Sequence, residues 1–182
     1  IDGFLFIRYN DVLNSLLGLD NLTSIGGYLN IEDNDALTSL SGLDNVTSIG
    51  GGLYIRYNEV LMSLAGLDNI DASSIDNLHI LGNTNLSTCE VQSICNYLAS
   101  PGGTVEIHDN ATGCNSQAEV EAACPDCPTG NVYFSSQEEI DDFQIYYPNC
   151  TEIEGDVVIE GYDYITNLNG LSGLTAIGGE LR

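Results

Sequence analysis

The sequence predicts a mainly β protein, a β-solenoid of stacked 24-residue rungs with short capping helices, and three observations predict it. The first is a repeat. Written from Ile1, Ile25 and Ile49, the chain falls into the rows IDGFLFIRYNDVLNSLLGLDNLTS, IGGYLNIEDNDALTSLSGLDNVTS and IGGGLYIRYNEVLMSLAGLDNIDASS. Leu5, Leu29 and Leu53 share a column, as do Ile7, Ile31 and Ile55, and then Leu16, Leu40 and Leu64. The second is the x-Leu-x-Ile alternation in each row, the period-two mark of a short strand with one buried face. The third is the punctuation by Gly and Asp-Asn, which bends the chain several times per row. Such a row cannot bury its own apolar face, so a neighbour must stack on it, about 4.8 Å away.

Taken in order, each rung opens at Ile-Gly-Gly, a tight corner suited to the backbone freedom of glycine. The strand follows, and after it comes Asn10, Asn34 or Asn58. Asn in one column can face inward and bond backbone groups of the next rung, an Asn ladder. The row closes with Leu-x-Ser-Leu-x-Gly-Leu and then Asp-Asn. A fourth row starts at Ile75, and TVEIHDN at 104–110 is a shorter echo.

Stacking also brings charges together. Asp20, Asp44 and Asp68 share a column, as do Asp11, Asp35 and Glu59. Like charges at rung spacing repel unless compensated. Asp in a turn is compensated by backbone N–H groups; the other solution is Ca²⁺ bridging carboxylates. Since no EF-hand loop or glycine–aspartate nonapeptide occurs, no cofactor is expected, and calcium at Asp20, Asp44 and Asp68 is the one alternative. Arg8, Glu32 and Arg56 form a third column, expected to be a cross-rung ion-pair ladder.

The 182 residues carry 27 Asp and Glu against three Arg and no Lys, a net charge of −24. Nucleic acid and anionic membranes are repelled by such a chain and drop out as direct partners. No apolar run approaches a membrane span, so direct insertion is not expected. With no Trp and four Phe, the core must be stacked Leu and Ile. Six Cys lie outside the regular rungs, an even count that suggests disulfides and an oxidising compartment. Cys124 and Cys127 form a C-x-x-C, but a zinc site would want a second pair or nearby His. Glycosylation sequons stand at Asn21, Asn45, Asn85, Asn110 and Asn149.

After residue 86 the period breaks. Ser87-Thr88-Cys89-Glu90 has the capping-box pattern and predicts a helix through Leu98, stopped by Pro101-Gly102-Gly103. Ser116-Gln117-Ala118-Glu119 opens a second helix to about Cys124. Residues 87–124 are thus expected to cap the last rung and hide its sheet edge. By position, Cys89 can pair with Cys114 and Cys95 with Cys124, other pairings being open. Residues 125–131 are expected to be a linker. A strand follows, then a helix capped by Ser135 or Ser136, then Cys150, which with Cys127 brackets the segment and can staple it. From Thr151 the rung pattern begins again, with Val158 and Ile159 in a strand and Ile177-Gly-Gly at the next corner.

Phe134 to Cys150, followed by Glu152-Ile153-Glu154-Gly155, resembles the start of a receptor L domain, the leucine-rich right-handed β-helix of growth-factor and insulin-type receptor ectodomains. The I-G-G-x-L-x-I rungs are similar to those of secreted surface proteins of Bacteroidota. The resemblance covers nearly the whole chain and implies a right-handed, receptor L domain-like solenoid at the cell surface or outside the cell. It divides the chain into the C-terminal part of one such domain, 1–124, the linker 125–131, and the N-terminal cap and first rungs of another, 132–182. Both outer halves being missing, a window from a longer tandem array is expected. The family carries no catalytic residues.

No G-x-S-x-G, H-E-x-x-H or phosphate loop is present, so an enzyme is not expected. His79 and His108 fall in adjacent columns and do not suggest a metal pair. The leading expectation is a non-catalytic structural or adhesive module, a repeating segment of a bacterial surface protein or filament that associates with itself or with tandem neighbours. The alternative is a ligand-binding ectodomain that recognises a glycan or a surface protein through the rung face. Tyr9 and Tyr57, in one column, with Tyr28 and Tyr54 nearby, are its candidate ligand face; equally, these rings can simply cover strands.

Overall fold

The structure is a computed structural model that describes residues 1–147, 150–161 and 164–182. The chain divides into two compact units, Ile1–Cys124 and Pro125–Arg182.

In the first unit, β1 (Leu5–Arg8), β3 (Leu29–Glu32), β5 (Gly51–Arg56), β6 (Ile75–Leu81) and β7 (Val105–His108) form one parallel sheet in that order. The register follows the repeat. Leu5, Leu29, Leu53, Leu78 and Val105 lie side by side, and so do Ile7, Ile31, Ile55, Ile80 and Ile107. Two short strands, β2 (Ser24–Ile25) and β4 (Ser48–Ile49), pair at the glycine corners. Behind the sheet the Leu columns are fully buried from the second row onward: Leu37 and Leu61, Leu40 and Leu64, Leu43 and Leu67 are all at 0% exposure. Each such side chain stabilises by about 1.5–3 kcal/mol relative to leaving it in water.

The expected fold class, a mainly β right-handed solenoid, is corrected here. Among the described residues there are four parallel sheets, one of five strands in the first unit and three of two strands, together with three α-helices, and no solenoid is indicated. The reason is local. Between strands, backbone N–H groups turn back on their own row: Leu13 donates to Asn10, Leu19 to Leu16 and Leu22 to Leu19, and Leu17–Leu19 is a 3-10 turn. Those N–H groups are then unavailable to a neighbouring row, and between the strands the rows are joined at single positions, such as the Thr47 N–H on the Thr23 carbonyl, rather than by a continuous ladder.

α1 (Gln92–Ala99) and α2 (Gln117–Ala123) pack on each other, and α2 packs on β7. The capping box expected at Ser87–Glu90 does not form. Thr88 instead bridges to Ser63, Glu90 accepts from the Cys89 N–H, and α1 begins after Val91 with no side-chain cap. At α2, Ser116 caps the Glu119 N–H, whereas the Glu119 carboxylate accepts from Gly113 and Asn115.

In the second unit, β8 (Val132–Phe134) pairs with β10 (Val157–Ile159), and β9 (Glu152–Ile153) with β11 (Ala176–Ile177). α3 (Gln137–Tyr146) starts at a complete capping box, Ser136 with Glu139. Phe134, Ile140, Phe143, Cys150, Ile153 and Val157 form the core. Residues 125–131 fall within this unit; Asn131 Oδ1 accepts the Asp156 N–H at 2.9 Å. Three disulfides join Cys89 to Cys114, Cys95 to Cys124 and Cys127 to Cys150.

Candidate functional site

Because strand side chains alternate, burying the Leu and Ile columns turns the intervening residues outward. The outer face of the five-stranded sheet therefore carries Phe6 and Arg8, Asn30 and Glu32, Tyr54 and Arg56, then His79, Glu106 and His108. Phe4 and Tyr28 stand just ahead of β1 and β3. Their rings make a continuous row. Phe4 stacks on Tyr28 with centroids 5.0 Å apart, Phe6 meets Tyr28 edge-on at 5.2 Å, Tyr28 meets Tyr54 at 5.9 Å, and Tyr54 meets His79 at 5.0 Å. Gly52 makes room for this row, since a Cβ there would collide with the Tyr54 ring.

Charges border the rings. Arg8 lies 4.5 Å from the Phe6 centroid, and Arg56 lies 4.9 Å from that of Tyr54. Arg8 pairs with Glu32 at 3.7 Å and His79 with Glu106 at 3.1 Å. The expected ladder stops there: among the described residues Arg56 has no ion pair, and its buried Nε has no hydrogen-bond partner. Asn30 is also on this face, 3% exposed, with Nδ2 donating to Glu32 and Oδ1 unpartnered.

The candidate tyrosines separate into two groups. Tyr28 and Tyr54 belong to the row. Tyr9 and Tyr57 stand beyond the strand ends in left-handed backbone, with φ of 58° and 54°. Asp33, Gly82 and Asp109 have the same conformation in the same column, each one residue ahead of an inward Asn. The Tyr57 ring lies against Gly82, so Tyr57 covers a bend.

That bend aims the Asn side chains into the protein. Asn34, Asn58, Asn83 and Asn110 donate from Nδ2 to the carbonyls of Ile7, Ile31, Ile55 and Ile80 at 2.8–3.0 Å. Asn10, Asn34, Asn58, Asn83 and Asn110 are also linked amide to amide. Of the sequon residues, Asn110 donates from Nδ2 to the carbonyls of Ile80 and Cys114. Asn45 and Asn85 donate to the carbonyls of Asp20 and Glu59 at exposed positions, Asn21 is exposed, and Asn149 lies outside the described residues.

Asp20, Asp44 and Asp68 are exposed. Asp44 and Asp68 accept the N–H groups of Gly42 and Gly66, whose φ of +108° and +104° makes the turn. Among the described residues, no three of His, Cys, Asp and Glu are grouped to hold a metal ion. No helix there is long and apolar enough to cross a membrane.

Phe4, Phe6 and His79 are parts of this face that the sequence reading did not single out, whereas Arg8 and Arg56 were expected on it as a ladder with Glu32. Phe4 shares a column with Tyr28, and Phe6 with Tyr54, so the signal was present. His79 was hidden by the extra residue that shifts the register between Gly51 and Leu53.

The first unit is thus a disulfide-bearing domain whose parallel sheet presents one aromatic face. The family model for the receptor L domain matches residues 1–123, and the chain belongs to that family of non-enzymatic, ligand-binding ectodomains. Neither a curated protein nor a solved structure matches the chain. Receptor L domains are extracellular, and three disulfides fit an oxidising environment.

Proposed function

We propose that the chain is a non-catalytic extracellular ligand-binding module whose ligand docks on the outer face of the five-stranded sheet. The observation that supports this is where the aromatic residues go. Of four Phe, Phe134 and Phe143 lie in the core of the second unit, whereas Phe4 and Phe6 are 55% and 38% exposed on this face. They run on into Tyr28, Tyr54 and His79. An acidic chain does not need such a strip for solubility or for its core, and contiguous exposed apolar surface marks interaction sites.

Family membership speaks for this reading rather than for the structural or adhesive module that the sequence put first. The bacterial-surface setting rests on the I-G-G-x-L-x-I rungs alone. The test is binding of the chain to immobilised panels of glycans and extracellular proteins, alongside the double variant Tyr28→Ser/Tyr54→Ser. Removing two ring contacts at about 1 kcal/mol or more each should weaken binding by at least about tenfold. Ligands held equally by the variant would overturn the assignment of the face.

A further inference from the structure

The charges on the same face point to the chemistry of the ligand; the step rests on the face assignment above. The chain has 27 Asp and Glu and only three Arg. Arg8, Arg56, His79 and His108, all of the first unit's Arg and His, stand at outward positions of one sheet. Three have an acidic partner within the protein: Arg8 has Glu32, His79 has Glu106 and His108 has Asp109. Arg56 has none among the described residues, although acids outnumber it everywhere else. Its Nε is removed from solvent without a partner, and its guanidinium lies over Tyr54. Glu32 stands beside Arg56 in register without forming an ion pair with it, which leaves the guanidinium able to donate charge-assisted hydrogen bonds to an incoming carboxylate.

We infer that the face binds a saccharide bearing a carboxylate, with the acid group on Arg56 and the sugar ring against Tyr54 and Tyr28. The remaining polar groups favour a sugar over an acidic peptide. Glu32 and Glu106 flank the rings, and they accept hydroxyl donors but repel further carboxylates. A uronic acid unit brings one carboxylate, several hydroxyls and an apolar ring face. A polyacidic peptide brings repeated negative charge to a chain of net charge −24.

The test is calorimetric titration of the full chain with methyl galacturonoside, which carries a single carboxylate, and with its methyl ester, which is the same sugar without the charge. The acid should bind about tenfold or more tightly than the ester, and only the acid should weaken with added salt. Arg56→Gln should lower acid affinity to that of the ester and leave the ester unchanged, while Arg56→Lys should retain part of the difference. Thermal melts of both variants verify that they fold. Equal binding of acid and ester would overturn the carboxylate inference while leaving the face assignment standing. Tighter binding of hexaglutamate than of the sugar acid would overturn the saccharide class. Acid binding that survives both Arg56→Gln and Tyr54→Ser would place the site elsewhere and sink both. Absence of binding to either sugar, with panel binding still lost in the tyrosine double variant, would overturn the inference alone.

Discussion

Asn58 concentrates the chemistry that holds the rows together. It is fully buried, donates to the Ile31 and Arg56 carbonyls and to Asn83, and accepts from both the backbone and the side chain of Asn34. Replacing it by Leu strands several buried groups at about 1–3 kcal/mol each, so Asn58→Leu should destabilise the first unit by about 3 kcal/mol or more in urea unfolding. The residue before it matters for another reason. Asp33 holds a left-handed conformation, and desolvation, followed by the charges of Glu32, Asp35 and Asp11, raises its pKa above the ordinary 3.8. A raised folded-state pKa means that the contribution to stability is fully present below 3.8 and is lost as pH rises through the folded value. Asp33→Asn tolerates the same backbone and carries no charge. It should therefore exceed the wild type in urea midpoint at pH 7 and lose that advantage below pH 3.8. The inward Asn column was legible from the repeat, whereas the left-handed column was not. Tyr, Asp and Gly occupy it, and no residue type announces it.

The helices show how far local patterns reach. Ser136–Glu139 and Ser87–Glu90 have similar sequence signatures, yet only the first forms a capping box. Tertiary context decides: Thr88 is held by the bridge to Ser63, one further step of the row-to-row stack, and α1 cannot start until the chain leaves it. Ser136→Ala should cost the second unit about 1 kcal/mol. Thr88→Ala should not show a helix-capping loss, which far-ultraviolet circular dichroism during thermal melts can check. The Cys95–Cys124 bridge ties α1 to α2 across 29 residues of sequence. Chain entropy gives such a closure about 3–4 kcal/mol, so Cys95→Ala/Cys124→Ala should lower the melting temperature while leaving the sheet intact.

At the scale of the whole molecule, the repeat made the strands and their register legible because identical columns must bury identical faces. Thr47 bonds the Thr23 carbonyl and Thr175 the Thr151 carbonyl, so the same spacing governs both units. The class inferred from that repeat was too simple, because periodicity in sequence does not reveal which N–H groups turn back on their own row. The binding face was half legible. Tyr28 and Tyr54 could be picked out as rings, but Phe4, Phe6 and His79 join them only when register and outward direction are known. Tyr9 and Tyr57 looked equivalent to them and lie beyond the strand ends instead. The most direct test of the outer face as the binding site is to follow assigned aromatic ring resonances by NMR while titrating the tightest ligand from the panels. Rings of Phe6, Tyr28, Tyr54 and His79 should shift together, with the exposed Tyr133 and Tyr164 of the second unit unchanged. Shifts confined to Tyr133 and Tyr164, with the row unaffected, would contradict the account.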